Sequence, residues 1–301
     1  MQSESPSLDL SAAYWIVLTP SVDDAGWRKA ILSAADAVGW MVIHEPDASG
    51  TSARGPVLVI TEDAERPALH SAERIAAIIA EPETAPDAAG ELHGIYSPES
   101  NLLASLLLAR AMALAPRYRL ITPAELAARP STIELFGTLR ITPPVSKAEV
   151  SRKPAVSAAF KLFRAEPKDL ADPIEWSEKL FSYDPRASRD WPTCGVLDTT
   201  GRPRILVFGP FLSMPPGQWR ARMRFAVDSE AAQRQYRLDW GTRTACVSEY
   251  VTPGAPGVYE LEMDFTWTEV DVAEIRLILV EGSFMGTLMF QGITVEPTPV
   301  A

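Results

Sequence analysis

The spacing of apolar residues changes once along the chain, and this change constrains the fold more than any other feature of the sequence. Over about 12–128, short apolar runs alternate with segments of helical spacing. Over about 196–297, apolar and polar residues alternate instead. The first pattern is typical of mixed strands and helices, and the second of strands with one buried face. The sequence therefore predicts two domains of different class, which also suits a length of 301 residues.

The first region predicts a three-layer α/β domain with a mostly parallel sheet. Run 14–18 is apolar throughout, as expected for a strand buried on both faces. We expect strands at 14–18, 40–43, 56–60, 94–96 and 119–121, and helices at 26–38, 67–80, 97–115 and 123–128. The order β-α-β-β-α-β-α-β-α places helices on both faces of such a sheet. We therefore interpret 12–128 as a small Rossmann-like α/β domain.

Three interpretations of this domain differ in the loops that follow its strands. Dinucleotide binding needs a glycine-rich turn after the first strand, but 19–26 contains one glycine and two acids. The acids, Asp23 and Asp24, resemble the acidic pair of phosphoacceptor receiver domains. Asp63 follows its strand too late for that family, however, and Pro123 follows the fifth strand where the family has a lysine. A degenerate domain used for docking or oligomerisation needs no special residues, and we favour it.

Histidine and cysteine chemistry is sparse. The three histidines, His44, His70 and His93, are not paired with cysteine or acids at metal-ligand spacing, so we expect no metal site. Cys194 and Cys246 form no CxxC motif. A disulfide between them and two buried thiols both fit the sequence, and we favour the thiols in a cytoplasmic protein. We also expect no cofactor.

The stretch 129–195 predicts a linker followed by an aromatic-rich lead-in. Consecutive prolines at 143–144 are typical of stiff, extended backbone, and we place the boundary near 145. Residues 1–145 hold 10 basic and 18 acidic residues, against 18 and 21 in 146–301. The net charges of −8 and −3 support this division. The aromatic content of 154–195 is too high for a disordered segment, so we expect it to pack on the second domain.

The second region predicts an antiparallel β-sandwich. In 218–227, Trp219, Ala221, Met223, Phe225 and Val227 alternate with polar residues. The same alternation marks 236–240 and 259–265, and further strands fall at 204–208, 211–214, 244–250, 273–280 and 287–295. Turn signals about every ten residues are typical of a sandwich or jelly roll.

A segment of this region resembles a known family. Gly209-Pro210-Phe211, Pro215-Pro216-Gly217 and Trp219 match the GPY-x-x-LPPG-x-W/Y stretch of galactose-binding-like, carbohydrate-binding-module-like jelly rolls. Phe211 replaces the tyrosine of that pattern and Met214 its leucine. The resemblance covers about 100 residues and implies a jelly roll that contacts a glycan. It implies no catalytic residue.

Six residues are candidates for glycan contact. Arg220, Arg222 and Arg224 share one strand face, and Arg237 in the next strand is expected to extend the row. Guanidinium groups in a row suit the carboxylates or sulfates of an acidic glycan. Trp176 and Trp191 of the lead-in are candidates for stacking on sugar rings, although core packing is the commoner use. Pairing of the arginines with the acidic row of Glu260, Glu262 and Asp264 is the alternative that we favour.

Composition limits the partners. Net charge is 28 − 39 = −11, which disfavours a general nucleic-acid binder. No segment predicts a signal peptide or a membrane span, so we expect a cytoplasmic protein without membrane insertion. Export without a signal peptide also fits the sequence.

These observations favour a non-enzymatic protein of a bacterial surface-polysaccharide system. The jelly roll is expected to bind a glycan, with acidic glycans among the candidates, and the α/β domain to dock a protein partner or to self-associate. One alternative is an enzyme or enzyme subunit of polysaccharide biosynthesis that uses Asp23, Asp24, Glu62 and Asp63 for acid–base chemistry. Another is a purely structural protein-interaction module.

Overall fold

The computed structural model describes residues 10–44, 55–115, 117–128, 131–145, 154–186 and 195–298. It divides into two compact units. The first, the α/β unit, comprises Met1–Ser151 and Phe163–Glu166. The second, the sandwich unit, comprises Arg152–Leu162 and Pro167–Ala301.

The α/β unit contains a five-stranded parallel sheet, which confirms the predicted class. Its elements are β1 Tyr14–Leu18, α1 Asp24–Ala37, β2 Met41–His44, β3 Val57–Thr61, β4 Ile75–Ile78, α2 Ala85–His93, α3 Glu99–Ala113, β5 Arg119–Ile121, α4 Pro123–Ala128, β6 Ile133–Leu135 and β7 Leu139–Ile141. The strand order is β2-β3-β1-β4-β5, and β6 and β7 form a separate hairpin. This order places β1 between β3 and β4 and differs from the 3-2-1-4-5 order of dinucleotide-binding sheets.

Both faces of this sheet are buried. Ile16, Leu18, Leu58 and Ile60 share one core with α1 and the β6–β7 hairpin. The residues of β1, β3 and β4 that point to the opposite face are buried as well: Trp15, Val17, Val59, Ile75 and Ala77. Burial of both faces explains why the strand sequences are continuous apolar runs rather than alternating ones.

Two predicted elements of the α/β unit are wrong. The helix expected at 67–80 is replaced by two short 3-10 turns and β4, whose four residues are all buried. The strand expected at 94–96 is replaced by the end of α2, where Gly94 has φ 65° and closes the helix. A left-handed residue after the last helical turn is a common helix stop, and glycine adopts it without steric cost.

The sandwich unit consists of two antiparallel sheets. Its elements are α5 Pro154–Phe160, β8 Ile174–Trp176, β9 Ser182–Tyr183, β10 Val196–Asp198, β11 Arg204–Met214, β12 Gly217–Val227, β13 Tyr236–Gly241, β14 Cys246–Val251, β15 Gly257–Trp267, β16 Asp271–Leu279 and β17 Thr287–Pro297. One sheet has the order β10-β17-β12-β15, with β8 also on β17, and the other has the order β14-β13-β16-β11-β9. From β11 to β17 the chain crosses between the sheets at every step except β13–β14, which is a jelly-roll path.

The core of this unit lies between the two sheets and is built from large aromatic side chains. Trp176, Trp219, Tyr236, Trp240 and Phe290 are fully buried. The rings of Trp176 and Trp240 come from opposite sheets, and their centroids are 6.1 Å apart. Edge-on contacts of this kind add to the stability gained by burial of the ring area.

Two short strands of the lead-in are part of the sandwich. β8 pairs with β17, and β9 pairs with β11. Arg204 of β11 also donates to Asp184, just after β9, at 2.6 Å. The segment 174–184 therefore contributes one short strand to each sheet of the sandwich and is not a separate linker. In the part of the chain that the structure describes, no helix is long and apolar enough to cross a membrane.

Candidate functional site

The outer face of the sheet β14-β13-β16-β11-β9 presents polar side chains beside aromatic rings. Because successive residues of a strand point to opposite faces, the neighbours of the core residues Leu238 and Ile275 point outward. We call this surface the Asp239 face. It comprises Phe208, Arg237, Asp239, Ser248, Tyr250, Glu274 and Arg276.

Asp239 lies at the centre of the face and is only 1% exposed. Arg237 donates to its two carboxylate oxygens from Nε and Nη2, at 2.7 and 2.8 Å. The hydroxyl of Ser248 donates to the same carboxylate at 2.7 Å. A buried carboxylate costs much free energy unless it is paired and hydrogen-bonded, and here it is both. These bonds fix the positions of three side chains on two strands.

A second ion pair lies beside the first. Arg276 donates to the two oxygens of Glu274 at 2.9 and 2.6 Å, and its Nη1 is 3.9 Å from Asp239. The hydrogen bond to Glu274 is the main cause of the raised pKa of Arg276. The pKa of Arg237 is raised mainly by its hydrogen bond to Asp239, with a smaller contribution from Tyr250. Both guanidinium groups therefore stay charged and are held by carboxylates.

Aromatic rings flank this network. Tyr250 on β14 is 56% exposed. On the other side lie the half-buried rings of Phe208 and Phe211, whose centroids are 6.1 Å apart. Phe211 has φ 61°, and the register of β11 shifts between Pro210 and Leu212. A bulged residue with this backbone conformation points its side chain where a regular strand would not.

The predicted row of Arg220, Arg222 and Arg224 lies on β12 of the other sheet. Its partner strand is β15, which places Asp264, Glu262 and Glu260 directly opposite. Arg220 binds Asp264 through two hydrogen bonds of 2.8 and 3.0 Å. Arg222 joins Glu262 at 2.7 Å and Glu296 of β17 at 2.5 Å. The first two arginines thus form the cross-strand ladder that we favoured. Among the described residues, Arg224 has no ion-pair partner.

The other candidates do not join this row. Arg237 does not extend it, because β13 pairs with β14 and β16 and not with β12. Trp176 is fully buried against Trp240, so this candidate packs in the core, which is the commoner use, and its ring is not exposed for stacking on a sugar. Trp191 lies outside the described residues. Cys246 is a free, exposed thiol rather than a buried one, and Cys194 also lies outside the described residues.

The carboxyl ends of the parallel strands bring together some of the acids of the alternative hypothesis. Arg28 of α1 joins Asp24 at 2.6 Å and Glu62 at 3.0 Å. Nε2 of His93, at the end of α2, is 3.3 Å from Glu62. Burial raises the pKa of Glu62, although Arg28 and His93 oppose the shift. Asp63 instead accepts the backbone N–H of Glu65, which closes the turn after β3.

The structure contains functional candidates that the sequence analysis missed. Asp239, Ser248, Tyr250, Glu274 and Arg276 were not singled out. The alternation in 236–240 and 273–280 places Asp239, Glu274 and Arg276 on an outer face, but the pairing of β13 with β16 is not visible in the sequence. Among the described residues, no group of three His, Cys, Asp or Glu side chains has the geometry of a metal site.

No family model matches the chain, and no curated protein matches it. Solved structures match a part of it. TmCBM61, in complex with β-1,4-galactotriose, has 11% identity and a TM-score of 0.28, covering 39% of this chain and 81% of its own. A family 16 carbohydrate-binding module has 12% identity and a TM-score of 0.26, covering 38% and 84%. The xylan-binding domain CBM22-1 of Paenibacillus barcinonensis has 12% identity and a TM-score of 0.25, covering 40% and 83%. With TM-scores this low, the assignment of a jelly roll rests on the strand order of this chain.

Proposed function

We propose that the sandwich unit binds a glycan on the Asp239 face and does not cleave it. The observation that carries this proposal is the fixed polar network beside the exposed ring of Tyr250. Sugar hydroxyls both donate and accept hydrogen bonds, and guanidinium and carboxylate groups supply the complementary atoms. An aromatic ring supplies apolar area for the C–H face of a sugar.

Rigidity favours binding to this face. Arg237 is held by Asp239, and Tyr250 interacts with Arg237. Side chains that are already ordered lose little conformational entropy when a ligand arrives, so more of the contact energy contributes to affinity. Arg237 uses two of its five N–H groups on Asp239 and also interacts with Tyr250, but its side chain is 35% exposed, so N–H groups remain for hydroxyl oxygens.

The direct test is retention of the full chain by immobilised or gel-embedded polysaccharides. Substitution of Tyr250 by alanine removes the exposed ring and is expected to weaken binding about tenfold, which corresponds to ~1.4 kcal/mol. Tyr96→Ala is the matched control, because Tyr96 is an exposed tyrosine of the α/β unit. Failure of every polysaccharide to retain the chain, or equal losses in the two variants, contradicts the proposal. Unchanged glycan chain length after long incubation tests the absence of cleavage.

For the α/β unit we propose a role in docking or assembly. Its strand ends carry an ion network in which Arg28 and His93 both contact Glu62, and the loop after β1 lacks the glycines that a phosphate group needs. Light scattering of the full chain tests self-association, which is the assembly part of this role. A monomer over the whole concentration range excludes self-association and leaves a different protein as the partner.

A second candidate function is catalysis by the α/β unit in polysaccharide biosynthesis. The raised pKa of Glu62 and its contact with His93 favour it, because acid–base catalysts have shifted pKa values. A thermal-shift screen with nucleotide sugars separates the two hypotheses. Stabilisation that is lost in Glu62→Gln supports the enzyme, and no stabilisation supports docking.

A further inference from the structure

We infer that the ligand of the Asp239 face is an uncharged glycan, an inference that rests on the proposed function. The face carries two cations and two carboxylates, and each cation is bonded to a carboxylate two residues away on its own strand. Arg237 holds Asp239, and Arg276 holds Glu274, each through two hydrogen bonds. The formal charge of these four groups is zero.

An acidic sugar finds no free cation among these groups. Its carboxylate or sulfate would have to share a guanidinium with Asp239 or Glu274, against the repulsion of that group. Removal of the guanidinium from Asp239 would leave a buried charge without its partner, which is strongly unfavourable. Arg276 also donates from Nη2 to the backbone carbonyl of Arg243 at 3.4 Å.

Hydroxyl groups meet no such barrier. They use the N–H groups and lone pairs that remain on the paired side chains, and the ion pairs stay intact. An uncharged ligand forms no new ion pair with the face, so added salt is expected to change its affinity little. Selectivity for uncharged glycans and insensitivity to salt are therefore the two expected signatures.

The outer face of the other sheet offers the competing possibility. Arg224 of the arginine row is exposed, and it has no ion-pair partner among the described residues. An acidic glycan that binds this face would contact Arg224. The two faces therefore predict opposite ligand charges, and variants on each face distinguish them.

The experiment measures retention of the full chain on neutral polysaccharides (xylan, β-1,4-galactan) and acidic ones (polygalacturonate, alginate), at low and at raised salt. We expect retention on at least one neutral glycan, changed less than about twofold by salt, and none on the acidic glycans. Salt-sensitive retention on acidic glycans alone, lost in Arg224→Ala, overturns the inference but keeps glycan binding. No retention on any glycan overturns the proposed function itself.

A charge variant provides a second arm that leaves Asp239, the most buried of the four groups, unchanged. Glu274→Gln frees Arg276 from its carboxylate and gives the four groups a charge of +1. We expect this variant to gain salt-sensitive retention on polygalacturonate. Glu134→Gln, which frees Arg140 in the β6–β7 hairpin of the α/β unit, is the matched control and is expected to gain none. Equal gains in both variants would show a nonspecific effect of net charge and would overturn the inference.

Discussion

The α/β unit and the sandwich unit place their charged residues differently. In the α/β unit both faces of the sheet are buried, and the ion pairs of Asp24, Arg28, Glu62 and His93 collect where the strands end. In the sandwich each sheet buries one face and carries ion pairs across the other. The relative direction of the paired strands sets this difference. Parallel strands are connected by helices, which cover both faces of the sheet, whereas an antiparallel sheet can keep one face exposed to solvent. An open, patterned face is a broader binding surface than a row of strand ends.

The largest expected effect tests whether the sandwich depends on its lead-in. Truncation of the buried Trp176 to alanine leaves a cavity between the sheets and is expected to lower the free energy of unfolding of this unit by ~3–5 kcal/mol. Native-state hydrogen exchange resolves the effect, with faster exchange in β12 and β16 and little change in β1 and β3. Trp15→Ala, in the core of β1, is the reciprocal control. Uniform effects of both variants on all four strands would mean that the units unfold as one.

A smaller effect tests the strand ends of the α/β unit. Because burial raises the pKa of Glu62, the folded state binds a proton more readily than the unfolded chain does. The contribution of Glu62 to the free energy of unfolding therefore falls as pH rises from the unfolded pKa to the raised folded one. Glu62→Gln is expected to lack this fall.

Urea unfolding at a series of acidic pH values measures this difference. Glu134→Gln, an exposed glutamate of the β6–β7 hairpin, is the control and is expected to keep the pH dependence of the unmodified chain. Parallel stability profiles for Glu62→Gln and the unmodified chain would contradict the assignment.

The smallest effect tests the ladder on β12. Loss of Arg220 removes a guanidinium bonded to Asp264, so we expect a small fall in Tm that disappears at raised salt, as exposed ion pairs are screened. Arg224→Ala is expected to leave Tm unchanged, because this residue lacks an ion pair among the described residues. Differential scanning calorimetry at two salt concentrations makes the comparison. A salt-independent loss in Arg220→Ala would indicate packing of its stem rather than charge.

Sequence reasoning succeeded where burial leaves a clear period. The strand expected at 218–227 is β12, Gly217–Val227, because one buried face imposes strict alternation. It failed at 75–78, where two isoleucines flank two alanines. A short apolar run has no period that separates a strand from a helix, and alanine favours a helix on its own. In the structure, residues 75–78 form strand β4, and all four side chains are buried because both faces of the sheet are covered.

The candidate site was less predictable than the fold. Two rows of equal period favoured the pairing of Arg220 and Arg222 with acidic residues, although the sequence does not show that β12 lies beside β15. The Asp239 face depends on β13 lying beside β16, which is far away in sequence. Pattern alone places Arg237 and Arg276 on outer faces, but only the sheet order brings them together around Asp239.

The position of β17 has a consequence for synthesis of the protein. This strand is formed by Thr287–Pro297, and it pairs with β8, β10 and β12. The sheet cannot close until β17 has left the ribosome, whereas the parallel sheet of the α/β unit is complete at β5. The α/β unit can therefore fold during translation, while strands such as β12 wait with Trp219 and Phe225 uncovered. Chaperone binding to the nascent chain should accordingly concentrate on the sandwich.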